Sequence, residues 1–210
     1  MKRILFLSTI AAVALLGTSC APSAGPIYPM TIGSVWNMSS YTLYGTTLAS
    51  LDTMTTGTQT NTALEKANLS NGREVVKFKS DVLVHYKALD TTITTTSYSY
   101  TAEVGDTIFS YTSLDDTIGT PVMRSNPAAG QTWVEGSVIA TVVGQENVTV
   151  AAGTYKGAWK VRLTSSIGGV GVDIYEWFAN GTGLVKVYYA YTANGYRSEY
   201  SAELTSATIK

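Results

Sequence analysis

The stretch Leu184-Val185-Lys186-Val187-Tyr188-Tyr189-Ala190-Tyr191-Thr192-Ala193-Asn194-Gly195-Tyr196-Arg197-Ser198-Glu199-Tyr200-Ser201-Ala202-Glu203-Leu204-Thr205 decides the fold. At its centre, Asn194-Gly195 suits a type I′ turn, which needs φ > 0 at both central positions. Alternating strand-forming residues on either side make the stretch a β-hairpin. A two-residue turn fixes the register, so Ala193 faces Tyr196. Val185 then faces Leu204, Val187 faces Ala202 and Tyr189 faces Tyr200, all on one side. Lys186 faces Glu203 and Thr192 faces Arg197 on the other. One register therefore produces an apolar face and a face with a complementary charge pair. The side carrying Val185, Val187, Tyr189, Tyr200 and Leu204 is expected to pack inward.

The rest of the chain reads the same way. Trp159, Val161 and Leu163 alternate with Lys160 and Arg162, the pattern of a half-buried strand. Ser34–Tyr44, Val138–Gln145 and Gly171–Ala179 also read as strands, with turns at Ala152-Gly153 and Gly168-Gly169. The threonine-rich runs Thr53–Thr62 and Thr91–Thr101 read as exposed strands with one solvated face. Ala63–Asn68 is the one plausible helical turn. Roughly ten strands without intervening helices predict an all-β domain over residues 30–210. That domain is a single strongly curved antiparallel sheet or half-barrel, because so many strands must curl, close or split.

The N-terminus carries targeting information. Lys2 and Arg3 precede the apolar run Ile4–Leu16, which suits a secretion signal and is too short to span a bilayer. Gly17, Thr18 and Ser19 lead to Cys20. Small residues before a cysteine predict a lipoprotein signal over residues 1–19, with Cys20 as the lipidated N-terminus of the mature chain. Gly17 stands where a lipobox usually has Leu, Val or Ile, so ordinary cleavage after Ala21 is the competing reading. Cys20 is the sole cysteine in the chain, and a free thiol in an oxidising compartment is a liability unless it is used. Two acyl chains would hold the protein stably on a membrane. Residues 20–29 contain Pro22, Pro26 and Pro29 and are expected to act as a tether. Ala21 is not an inner-membrane retention signal, so an outer membrane is the expected address in a Gram-negative cell. A net charge of −1, with 14% charged residues, argues against nucleic acid as a partner.

Four ordered segments carry a resemblance. They are Tyr28-Pro29-Met30-Thr31-Ile32-Gly33-Ser34-Val35-Trp36, Pro127-Ala128-Ala129-Gly130-Gln131-Thr132-Trp133, Glu146–Tyr155 and Glu176-Trp177-Phe178-Ala179-Asn180-Gly181-Thr182-Gly183-Leu184-Val185-Lys186. Together they resemble a group of uncharacterised bacterial exported proteins and lipoproteins. That group has a Y-P-L-x-x-G-x-x-W start, an E-x-V-x-V-P-A-G-T-F centre and a W-x-A-x-G-x-G-L-V-K end. Ala151 and Tyr155 replace the usual proline and phenylalanine. The resemblance implies a curved antiparallel sheet like the half-barrels of lipoprotein carriers, and it implies no particular reaction. The motifs themselves read as structural. Trp36, Trp133, Trp159 and Trp177 are expected to anchor the core.

A search for chemistry yields little. His85 is the single histidine and has no nucleophile elbow to serve. One histidine and one cysteine cannot build a zinc site. Asp106, Asp115 and Asp116 lack EF-hand spacing and read as acidic turns. Glu135, Glu146, Asp173 and Glu176 could supply a glycosidase pair only if two of them converged in a cleft. Gly168-Gly169-Val170-Gly171 lacks the ending of a phosphate loop. Tyr98, Tyr100, Tyr111, Tyr188 and Tyr191 could stack on a sugar or peptide, although strand tyrosines more often pack. The expectation is a non-catalytic envelope module without cofactor or metal. It would bind an apolar ligand or an envelope protein through the concave face of its sheet. An envelope hydrolase and a structural surface component are the rival classes.

Overall fold

The computed structural model describes residues 25–46, 50–135, 138–167 and 170–210. The predicted signal, Cys20 and the Gly168-Gly169 turn lie outside them. Twelve strands form one antiparallel sheet. They are β1 (Val35–Gly45), β2 (Asp52–Asn68), β3 (Glu74–Tyr86), β4 (Thr91–Val104), β5 (Thr107–Tyr111), β6 (Thr120–Arg124), β7 (Thr132–Glu135), β8 (Val138–Val150), β9 (Gly153–Ile167), β10 (Val170–Ala179), β11 (Gly183–Ala193) and β12 (Tyr196–Thr208). Among the described residues no helix is long and apolar enough to cross a membrane.

The strand order is β6-β5-β4-β3-β2-β1-β12-β11-β10-β9-β8-β7. It is an up-and-down meander in which β1 zips onto β12 and so joins the two ends of the chain. The sheet curls until its outermost strands approach each other. Met123 of β6 and Ile108 of β5 share a buried cluster with Trp133, Ala140 and Val142 from β7 and β8. The Arg124 guanidinium lies 5.9 Å from the Trp133 ring centre, across the same seam. The sheet is thus a nearly closed barrel. Its curvature is helped by register shifts between Asn37 and Met38, Val142 and Gly144, and Trp177 and Phe178, because an extra residue on one strand bends and twists the pair.

The terminal hairpin has the predicted register. Lys186 pairs with Glu203, Val187 with Ala202, Tyr189 with Tyr200 and Ala193 with Tyr196. Asn194 and Gly195 have φ of 52° and 77°, the left-handed pair that the turn demands. Val185 and Leu204 are fully buried, both at 0% exposure. Val187, Tyr189 and Tyr200 are only half-buried, which corrects the expectation that all five pack inward.

Other expectations shift. Ala63–Asn68 continues strand β2 and forms no helical turn. Pairing with Phe78, Lys77, Val76 and Val75 across β3 overrides the helical propensity of this short run. The sheet has twelve strands where about ten were expected. The segment between Thr107 and Glu135 contains β5, β6 and β7, each of five residues or fewer and too short to show a periodicity. Thr91–Tyr98 is exposed on both faces of the sheet, where one solvated face was expected. The tether boundary also moves. Ile27 is 2% exposed and packs with Ile108, Met123 and Phe178, Pro29 is buried, and Gly181 donates its N–H to the Pro26 carbonyl at 2.9 Å. Residues 27–29 therefore belong to the domain. Ile27 and Tyr28, only two residues between prolines, gave no periodic signal.

Candidate ligand cleft

The strand registers place a continuous row of side chains on one face of five neighbouring strands. Trp36, Met38, Ser40 and Thr42 of β1 pair with Asn61, Gln59, Gly57 and Thr55 of β2. Those pair in turn with Ser80, Val82, Val84 and Tyr86 of β3. On the other side of β1, Ser40 and Thr42 pair with Ala202 and Tyr200 of β12, and these with Val187 and Tyr189 of β11. Period-two alternation keeps this set on a single face.

That face contains two adjoining clefts. One, of about 270 Å³, is lined by Tyr28, Pro29, Trp36, Met38, Gln59, Asn61, Phe78, Ser80, Ser99, Gly183 and Leu184. The other, of about 300 Å³, is lined by Ser40, Thr42, Thr55, Val82, Val84, Tyr86, Tyr189, Tyr200 and Ala202, together with Met38 and Gln59, which it shares with the first. Each is near the lower end of the size range of small-ligand sites.

The lining has two chemical characters. Trp36 and Phe78 pack with ring centres 5.9 Å apart, and Tyr28 meets Phe78 edge-on at 6.2 Å. Beside this aromatic base runs a polar seam. The Gln59 amide donates to Asn61 Oδ1 at 2.9 Å and to Ser80 Oγ at 3.1 Å, which fixes its rotamer. At the far end Tyr189 and Tyr200 stack at 5.2 Å. Ser40 hydrogen-bonds the Tyr200 hydroxyl, while burial pushes the Tyr200 phenol up from its ordinary pKa. A purely apolar lining was expected for a carrier of apolar ligands. The structure instead interleaves amides and hydroxyls with apolar side chains.

The Glu176 carboxylate faces this interior. Glu176 pairs with Val187, and Val187 with Ala202, so all three share a face. Burial and then the Glu176 carboxylate push the Tyr28 phenol up to about 12. The other acidic candidates lie elsewhere. Glu146 accepts from Trp177 Nε1 at 2.6 Å and pairs with Lys160 at 3.3 Å. Asp173 accepts from the Thr164 hydroxyl and, three residues from Glu176 on the same strand, sits on the opposite face. The Glu135 side chain is outside the described set. Asp106 is paired with Arg124 and Thr107, and Asp116 caps its own turn through Thr112 and Ser113. No group of three metal-ligating side chains occurs among the described residues. His85 lies opposite the cleft-lining Val84 and Tyr86, within 3.3 Å of Thr92 Oγ1.

The tyrosines singled out from the sequence do not converge. Tyr111 is buried at 1% exposure and accepts from Arg73. Tyr98 is exposed beneath Lys77. The cleft is built from Tyr28, Tyr86, Tyr189 and Tyr200. Their common face follows from long-range register, which no single segment displays.

The first and last sequence motifs meet at one end of the cleft. Trp36 Nε1 donates to the Thr182 carbonyl. Gly183 has φ of 92°, and a Cβ there would come within 3.4 Å of Pro29. Glycine at this position lets the Tyr28-Pro29 segment dock against Leu184. Trp36, Trp133 and Trp177 are buried, and Trp159 is half-buried against the same core.

An all-β barrel meander with an interior cleft is the class this architecture defines. No protein-family model matches the chain, and no curated protein matches it. Two solved structures resemble it. One is a candidate exported protein with YmcC-like fold from Bacteroides fragilis, 12% identical, covering 88% of this chain and 100% of its own, with a TM-score of 0.49. The other is a candidate lipoprotein from Parabacteroides distasonis, 13% identical, covering 89% and 100%, with a TM-score of 0.44.

Proposed function

We propose that this chain is an exported, lipid-anchored envelope protein whose barrel is a non-catalytic binding module for an amphipathic ligand. The observation that carries the reading is the shared wall of Met38 and Gln59, which joins an aromatic pocket to a tyrosine-rimmed one. An apolar chain fits along Trp36, Phe78, Met38, Val82 and Val84. Hydroxyl, ester or amide groups of the same ligand find partners in Gln59, Asn61 and Ser80. These half-buried groups already bond one another through the Gln59 amide, which leaves their remaining donors and acceptors for the ligand. The signal over residues 1–19 and the lipidation of Cys20 supply the anchor. A fluorescent amphiphile, N-phenyl-1-naphthylamine, tests the cleft. It should brighten on addition of the protein, and Ser80→Trp, which fills the cleft, should abolish the signal. Equal brightening with both proteins would refute the cleft as the site.

A further inference from the structure

We infer that the cleft selects an uncharged, hydroxylated head group of the glycerol-ester kind and rejects an acidic head in the same place. The inference deepens the amphiphile reading above and rests on it. Gln59 of β2 donates its two amide hydrogens to Asn61 Oδ1 at 2.9 Å and to Ser80 Oγ at 3.1 Å. The seam then offers the Gln59 carbonyl oxygen as an acceptor, with the Asn61 amide N–H and the Ser80 hydroxyl as donors. Turning over both amides exchanges the roles of Gln59 and Asn61, and a carbonyl oxygen still stands beside N–H donors. A glycerol hydroxyl matches both kinds of group, because it donates and accepts, and an ester carbonyl accepts from a further donor. A carboxylate only accepts. It would set its charge against the carbonyl oxygen of the seam, in a wall where Gln59, Asn61 and Ser80 are half-buried and water is a poor substitute partner.

The charges around the cleft favour the same ligand. Its described lining is uncharged, from Tyr28 at one end to Tyr200 at the other. Glu176 shares the interior face with Val187 and Ala202. Burial, and then the Glu176 charge, push the phenol of the lining residue Tyr28 up to about 12. The cations nearest to the seam along β3 are turned away from it. Lys77 and Lys79 alternate with Phe78 and Ser80, so they lie on the outer face. There they pair with Glu65 at 3.0 Å and Asp81 at 2.8 Å. An anion entering the cleft would lose water, meet the field of Glu176 and gain no counter-ion from β3. Burying a charge in that way is strongly unfavourable. An uncharged head avoids all three effects.

Isothermal titration of the chain from residue 21 onward, which holds all twelve strands, tests this with monodecanoylglycerol and decanoate, two probes with the same tail. At about pH 8 decanoate is ionised. The glycerol ester should bind at least about tenfold more tightly, and Ser80→Trp, which fills the cleft, should lose that binding. Gln59→Lys replaces the carbonyl oxygen with a cation and should reverse the order, with an unchanged circular dichroism spectrum. Asn61→Lys, on the same face, should do the same. Equal affinities of the wild-type chain, tighter binding of decanoate, or an unreversed order in both folded lysine variants would overturn the head-group selectivity and leave the cleft standing. Binding of neither probe, or glycerol-ester binding that survives Ser80→Trp, would overturn the cleft reading and the selectivity together.

Discussion

Tyr189 of β11 lies directly across from Tyr200 of β12, their rings 5.2 Å apart and 19° from coplanar, and together they wall one end of the interior cleft. Both rings are half-buried, so the pair is part of the lining and only partly a core contact. A stacked aromatic pair couples by about 0.5–1.5 kcal/mol beyond its burial. A double-mutant cycle with Tyr189→Ala and Tyr200→Ala, read by urea unfolding, should return a coupling in that range. A coupling near zero would mean that the rings only share a wall.

The core side of the same hairpin is more costly to disturb. Leu204→Ala should destabilise the domain by roughly 2–5 kcal/mol, because Leu204 is fully enclosed. Lys186→Ala should cost well under about 1 kcal/mol, since its pair with Glu203 remains in contact with water. Gly195→Val should cost on the order of 1 kcal/mol or more, because a β-branched residue fits φ of 77° poorly. Chemical denaturation of the three variants measures all of this. Equal losses in Leu204→Ala and Lys186→Ala would contradict the inside–outside assignment.

The hairpin was legible because its turn, alternation and charge pair all sit within one short segment. The all-β class followed from threonine and tyrosine alternation without helical periodicity. Other features were not legible, for a physical reason in each case. Ile27 and Pro29 enter the core through contacts with distant strands, those of Ile27 reaching from Ile108 to Phe178, so no local pattern marks them. Trp177 and Glu146 sit in two separate motifs, and only the folded sheet reveals the hydrogen bond between them. The cleft combines Gln59, Asn61 and Ser80 from two neighbouring strands with Tyr200 from the far end of the chain. Tyr98 and Tyr111 looked equally suitable in sequence, yet one faces solvent and the other is sealed in a separate cluster.

Tyr28 gives the fold an alkaline limit. Its folded pKa is raised from 10.0 to about 12, first by burial and then by Glu176. The folded state therefore holds its proton where the unfolded chain has lost it. The contribution to stability is intact below pH 10 and declines as pH rises from 10 towards 12. Tyr28→Phe should retain more of its stability than the wild-type chain between those pH values, monitored by circular dichroism. Parallel losses in both proteins would show that Tyr28 does not set the alkaline limit.

Anchoring should depend on one sulfur atom. Cys20→Ser should either release the mature protein from membranes or leave the precursor uncleaved, because serine cannot form the thioether that carries both acyl chains. Membrane fractionation and intact-mass measurement distinguish the two. A processed Cys20→Ser protein that stays on the membrane as firmly as wild type would refute the lipid anchor.

The proposed role requires that the interior face hold an amphipathic ligand. Native mass spectrometry can test it on the chain from residue 21 onward, exported behind an ordinary cleavable signal and purified without detergent. The wild-type protein should carry a co-purified amphiphile of discrete mass. Val82→Arg, which places a charge in the shared cleft, should be folded and empty. A wild-type protein without adduct after exposure to envelope lipids, or the same adduct on Val82→Arg, would show that the interior face is not the ligand site.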